Sequence, residues 1–114
     1  MQIKILTDFS KRPGPRYVKE GDFSGELFRK SILYPKLIDA LRQKDKLIID
    51  LDGTAGYGTS FLEESFGGLI REEKMGYNDI INNIEIISNE EEYLKEDIYK
   101  YISDANNKKN KKNA

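Results

Sequence analysis

Two carboxylates, a run of glycines and a hydroxyl pair stand within a dozen positions of one another in the segment LIIDLDGTAGYGTSFLEESFGGLIR, Leu47 to Arg71. Asp50 and Asp52 are two residues apart at the end of an apolar run, so on a strand they point to one face. That is the arrangement of an acid/base pair or of a magnesium site, and equally of acids that end a strand and bind loop amides. Gly53, Gly56 and Gly58 follow, then Thr59 and Ser60. The spacing Gly53-x-x-x-x-Gly58-Thr59-Ser60 nearly matches a phosphate-cradling loop, but Thr59 stands where that motif needs lysine, which argues against nucleotide hydrolysis. Ser60 and Glu63 have the spacing of a helix capping box. A hydroxyl at a helix start beside a Gly-rich loop is also a phosphoryl acceptor, favoured by the helix dipole and opposed by Asp50 and Asp52. Gly67 and Gly68 inside the helical pattern imply close approach of another backbone, that of the sheet or of a partner.

The rest of the composition narrows the chemistry. The 114 residues contain no histidine and no cysteine. This removes the commonest general base and metal ligand, phosphohistidine chemistry, thiol nucleophiles and disulfides. With nothing to activate Ser60, no catalytic residue is assigned, and no metal or cofactor is expected. A net charge of −1 gives no general attraction to nucleic acid or to a membrane surface. There is no long apolar span and no signal-peptide pattern, so a cytoplasmic protein is expected. The basic loop residues Lys11, Arg12 and Arg16 and the tail lysines Lys108, Lys109, Lys111 and Lys112 read as solvated charge, with phosphate or an acidic surface as the alternative for the loop.

The elements that must position these residues follow from periodicity. Gln2 to Thr7 alternates as a strand, Lys46 to Leu51 reads as a central strand covered on both faces, and Ile84 to Ile87 as a further one. Arg16 to Lys19 adds another if it pairs. Ser24 caps a helix carrying Leu27, Phe28 and Ile32, which Pro35 breaks or restarts before it runs on to about Gln43. A second helix spans about Ser60 to Glu73 with Phe61, Leu62, Ser65, Phe66, Leu69 and Ile70 inward, and Gly76 ends that unit. A third, with Ser88 and Glu91 as its capping box, buries Leu94, Ile98, Tyr101, Ile102 and Ala105. The expected fold is one α/β domain over residues 1–105, a four- to five-stranded mixed sheet with three to four helices packed on it. Residues 106–114 read as a disordered Lys/Asn-rich tail.

Three separated motifs, DFS before a Pro-Gly loop and Arg16, then FSGELFR from Phe23 to Arg29, then DLDGTAGYGTSFLEESFGGLIR from Asp50 to Arg71, resemble the STAS-like family of uncharacterised bacterial domains. The likeness runs from about Ile3 to Arg71 and is architectural beyond Met75. It implies a fold related to STAS anti-sigma-factor antagonists and a non-enzymatic regulatory module that docks a protein partner, a GHKL-type kinase or ATPase. It also implies a switch by phosphorylation at Ser60 or Thr59. The docking surface so implied comprises Asp52, Gly53, Gly56, Tyr57, Gly58, Phe61, Glu64 and Arg16. A longer Gly53 to Gly58 loop and Phe61 after Ser60 depart from the antagonist pattern. The alternative is a small-molecule or nucleotide-binding domain using the Gly53 to Gly58 loop amides.

Overall fold

Parallel pairing organises the chain around its central apolar strand. A computed structural model describes residues 1–112. Strands β1 (Gln2–Lys4), β2 (Leu47–Asp50) and β3 (Ile84–Ile87) form a three-stranded sheet in the order β1-β2-β3. Both pairings are parallel, with Ile3 opposite Ile49 and Ile49 opposite Ile86. Leu47 and Ile49 are fully buried, whereas Ile48 and Asp50 on the other face are only half-buried. The central strand is therefore sealed on one face and partly covered on the other, not sealed on both.

Around the sheet run a helical turn α1 (Ile5–Asp8), helix α2 over residues 25–43, helix α3 over residues 59–71, a short helix α4 (Tyr77–Ile81) and a long helix α5 (Tyr93–Lys112). Ser24 caps α2 as its sequence suggests, its hydroxyl accepting from the Leu27 amide at 3.0 Å. Pro35 does not break α2. The helix widens into a π-turn over Arg29–Leu33, where the Tyr34 amide donates to the Arg29 carbonyl five residues back, and resumes over Tyr34–Gln43. The wider turn gives the proline ring room against the carbonyls ahead of it. Helix α3 carries its own π-turn at Glu63–Gly67 and packs between α2 and α5. Phe28 and Phe61 stack at 5.8 Å across the α2–α3 contact, and with Phe66 they are fully buried. Each such ring contributes roughly 2 kcal/mol by burial. From α5, Leu94, Ile98, Ile102 and Ala105 form one buried stripe, while Tyr101 is half-buried at its edge.

The sheet is smaller than expected, three parallel strands in place of four or five mixed ones, and the reason is local. The first strand ends at Lys4 because the Asp8 carboxylate accepts the Lys4 amide at 2.8 Å, and the Phe9 and Ser10 amides return to the Ile5 carbonyl. Arg16 to Lys19 forms no strand. Side chains take its amides, Tyr17 giving to Glu20 and Val18 to Glu26, and a 3₁₀ turn spans Val18–Glu20. Ser88 and Glu91 form no capping box; the Ser88 hydroxyl donates to the Glu91 carbonyl and α5 starts later, at Tyr93. Gly76, expected to end a unit, is the N-cap of α4. Residues 106–112, read as part of a disordered tail, continue α5 as helix, with 107–112 exposed. Asn113 and Ala114, the end of that expected tail, lie outside the described residues. None of the described helices is long and apolar enough to cross a membrane.

Candidate functional site

The loop after β2 is built from glycines that its path requires. Gly53 has φ +93° and Gly56 φ +130°, left-handed or beyond, where a side chain is strained. Part of the loop's backbone is already engaged. Asp52 donates its amide to Asp50 Oδ1, Gly53 to Glu90 Oε2, Gly56 to Thr54 Oγ1, and Ala55 to the Lys11 carbonyl. The Asp52 carboxylate clamps the facing loop, accepting from the amides of Asn89 at 2.9 Å and Glu90 at 3.0 Å and from Asn89 Nδ2 at 3.1 Å. The Glu90 amide bond is the main cause holding its carboxyl below the ordinary range, against a smaller upward push from burial. Tyr57 lays its ring over this junction and donates its hydroxyl to the Leu51 carbonyl at 2.7 Å, and burial raises its pKa. The space left among Asp52, Thr54, Tyr57 and Glu90 is about 10 Å³, room for a water at most. Three of the six amides from Gly53 to Gly58 are thus engaged, and three acids stand beside the loop, which disfavours a nucleotide phosphate there.

Thr59 and Ser60 stand at the first turn of α3, both exposed. The N-cap is Gly58, with no side-chain cap bond, so Ser60 is not the cap and the Ser60/Glu63 capping box does not form. Glu63 is drawn away from the helix start by two guanidinium groups. Arg71 Nη1 donates to Glu63 Oε2 at 3.0 Å and Nη2 to Oε1 at 3.1 Å, while Arg16 Nη1 also pairs with Oε1. Burial raises the Glu63 carboxyl, but these donors outweigh it and hold its pKa below the usual value. The same pairing raises Arg16 and Arg71 in spite of burial.

Deeper in the same place lies a buried ion pair. Arg29 is 1% exposed and Glu64 2%. Arg29 Nη1 donates to Glu64 Oε2 at 2.6 Å and to the Glu64 carbonyl at 2.9 Å, and its Nε to Glu73 Oε2 at 2.9 Å. Arg16 and Arg71 meet the other Glu64 oxygen at 3.2 and 3.1 Å. Both π-turns begin here, one at Arg29 and the other at Glu63. Gly67 and Gly68 serve this network, and the sheet is not what approaches them. A Cβ at Gly68 would overlap Arg29 Nη1, and one at Gly67 would overlap Glu63 Oε2.

The residues expected at a docking surface thus divide. Thr59, Ser60 and Gly58 share an exposed helix start, whereas Phe61 and Glu64 are buried and cannot touch a partner directly. Asp52, Gly53, Gly56 and Tyr57 belong to the loop clamped against residues 89–90, and Arg16 is engaged with Glu63 and Glu64. Sequence reasoning missed the exposed apolar side chains Val18 and Phe23 and counted Leu27 into the apolar stripe of α2, where it is exposed; Tyr17 is exposed as well. Phe23 adjoins the α3 start through shared neighbours: Phe9 lies 5.5 Å from its ring and 6.1 Å from that of Phe61. Its backbone is left-handed, φ 53°, a conformation that a bulky residue seldom adopts. Arg29, Arg71 and Glu73 were also missed; the glycine pair in mid-helix was their only trace.

A family model described as a STAS-like domain of unknown function matches residues 24–94. The match takes in α2, β2, the Gly loop, α3, α4 and β3. It reaches past Met75, farther than the motifs suggested, and begins after the Pro-Gly loop and Arg16. No curated protein and no solved structure matches the chain.

Proposed function

Because the chain belongs to the family of STAS-like domains of unknown function, we propose that it is a non-enzymatic regulatory module that docks a protein partner where Phe23 adjoins the start of α3. Its partner is a kinase-like ATPase of the GHKL type, and phosphorylation of Ser60 or Thr59 releases it. The observation that carries this reading is Phe23. It is 44% exposed and held at φ 53°, a left-handed geometry that costs about 1–2 kcal/mol in a non-glycine residue. Strain and exposed apolar area concentrated in one side chain serve contact with another molecule better than they serve folding. Val18 and Leu27 are exposed as well.

A phosphoryl group on Ser60 gains from the helix N-terminus and disrupts an apolar contact by its charge and desolvation cost. The absence of histidine and cysteine leaves Ser60 without an activating base, which favours an acceptor over a nucleophile.

The test is binding of a purified GHKL-type ATPase from the same organism to four forms of the full chain, the wild type and three variants, with mass spectrometry after incubation with ATP. Phe23→Ser and Ser60→Asp should each weaken binding by about tenfold or more, a 1.4 kcal/mol effect. Asp52→Asn should not. Phosphate should appear on Ser60 or Thr59. Equal binding by all forms, or no binding by the wild type, overturns the docking; a complex without modification overturns the switch alone.

A further inference from the structure

Residues 11–23 run over the surface as a strap between α1 and α2, and none of them is buried. The strap is closed on itself. The Gly14 amide donates to the Phe23 carbonyl at 2.8 Å, and the two limbs pass so closely there that a Cβ at Gly14 would overlap the Asp22 carbonyl. Farther out, the Tyr17 amide donates to the Glu20 carboxylate and the Tyr17 carbonyl accepts from the Glu20 amide. Few ties hold this piece to the rest. The carbonyls of Pro15 and Arg16 accept from the amides of Gly25 at 2.9 Å and Glu26 at 3.0 Å, which open α2 and have no acceptor within it. The Lys11 carbonyl accepts from Ala55, and the Val18 amide donates to Glu26 Oε1. Among the described residues, Arg16 carries the strap's only ion pairs, those to Glu63 and Glu64 on α3.

Release of Arg16 strands no charge. Glu63 keeps two bonds to Arg71, and Glu64 keeps Arg29 on one oxygen and Arg71 on the other, so neither acid is left buried and unpaired. Release also relieves the left-handed backbone of Phe23. The flanks stay in place: the Phe9 and Ser10 amides return to the Ile5 carbonyl, and the Ser24 hydroxyl retains the Leu27 amide.

We infer that residues 11–23 open as one unit, hinged at Ser10 and Ser24, while the rest of the fold stays closed, with Arg16 as the latch to α3. Segments that bury few apolar groups open at a lower free energy than the core around them. Opening carries Phe23 away from Phe9, whose ring lies 5.5 Å from it in the closed form, and leaves the first amides of α2 uncapped. The surface beside Thr59 and Ser60 is therefore complete only when the strap is closed. A molecule that needs Phe23 in place binds in proportion to the closed fraction.

Amide hydrogen exchange of the full chain, followed by NMR and corrected for intrinsic rates, tests this without a partner, so its outcome is separate from that of the docking at Phe23. The amides of Gly25, Glu26 and Ala55, whose acceptors lie in the strap, should share one protection and exchange at least about tenfold faster than those of the buried Leu69 and Ile70. Arg16→Gln should speed all three by about fivefold or more. Because the Arg16 pairs also break in global unfolding, that variant speeds Leu69 and Ile70 as well, and a core variant supplies the separation. Ile98→Val, in the buried stripe of α5, should speed Leu69 and Ile70 by about twofold to tenfold and leave the three strap-bonded amides unchanged. Arg12→Gln, which removes an exposed charge without an ion pair, should change neither set. Protection of the three equal to that of Leu69 and Ile70, three unrelated protections, no effect of Arg16→Gln on them, an equal effect of Arg12→Gln, or acceleration of them by Ile98→Val overturns the proposal.

Discussion

Gly68→Ala is the sharpest probe of the buried network. In the middle of an exposed helix this change adds about 1 kcal/mol of stability, since alanine is the better helix former. At Gly68 the new methyl would overlap Arg29 Nη1 and lie 3.0 Å from both Cδ and Cζ. Arg29 has little freedom to retreat, because it is 1% exposed and three hydrogen bonds hold it to Glu64 and Glu73. Moving it strips one oxygen of the buried Glu64 of its partner. Breaking a buried pair costs about 3–5 kcal/mol, and Glu64 keeps Arg16 and Arg71 on its other oxygen, so the lower end applies. Set against the helix-propensity gain, the net is a loss of about 2 kcal/mol.

Urea unfolding followed by circular dichroism measures that loss. In an Arg29→Met background the methyl meets no guanidinium, and Gly68→Ala should become neutral or stabilising. The coupling between the two sites is then at least about 2 kcal/mol. Gly68→Ala stabilising the otherwise unchanged chain, or additive effects of the two substitutions, would refute the steric and ionic account together.

Three further outcomes follow from single observations. Lys44 ends α2 with φ 53° and ψ 40°, so Lys44→Gly should raise stability by up to about 1 kcal/mol in the same urea assay. Glu63 has its carboxyl pKa held below the unfolded value by Arg71 and Arg16 against the opposing pull of burial. Its stabilisation is therefore full above the unfolded value near 4.5 and lost as pH falls through the folded value. Thermal melts from about pH 6 to about pH 3 should steepen downward below about pH 4.5, and Glu63→Gln should flatten that slope. Asp52→Asn keeps the shape but removes the charge that holds the Asn89 and Glu90 amides; hydrogen exchange at those two amides should accelerate while the α3 amides stay protected.

Local pattern determined much of this protein. Apolar periodicity located β2, β3, the buried stripes of α3 and α5 and part of that of α2, where Leu27 is exposed and Leu33 buried instead; Ser24 marked the start of α2, because each signal is written in residues a turn or less apart. The motif likeness to STAS-like domains has the same local character, and the matched region confirms it. The absence of histidine and cysteine narrowed the chemistry before any geometry was known.

Tertiary structure decided the rest. Whether Arg16 to Lys19 formed a strand depended on Glu20 and Glu26 taking its amides, and whether the Gly loop was free depended on Glu90 and Lys11, far along the chain. Glu64 looked like a surface acid at helical spacing. Only the meeting of α2 with α3 turned it into the buried partner of Arg29, and made the glycine pair the space that a guanidinium needs. Spacing along one chain reports which face of an element is apolar. It does not report which charge from another element will arrive to be buried there.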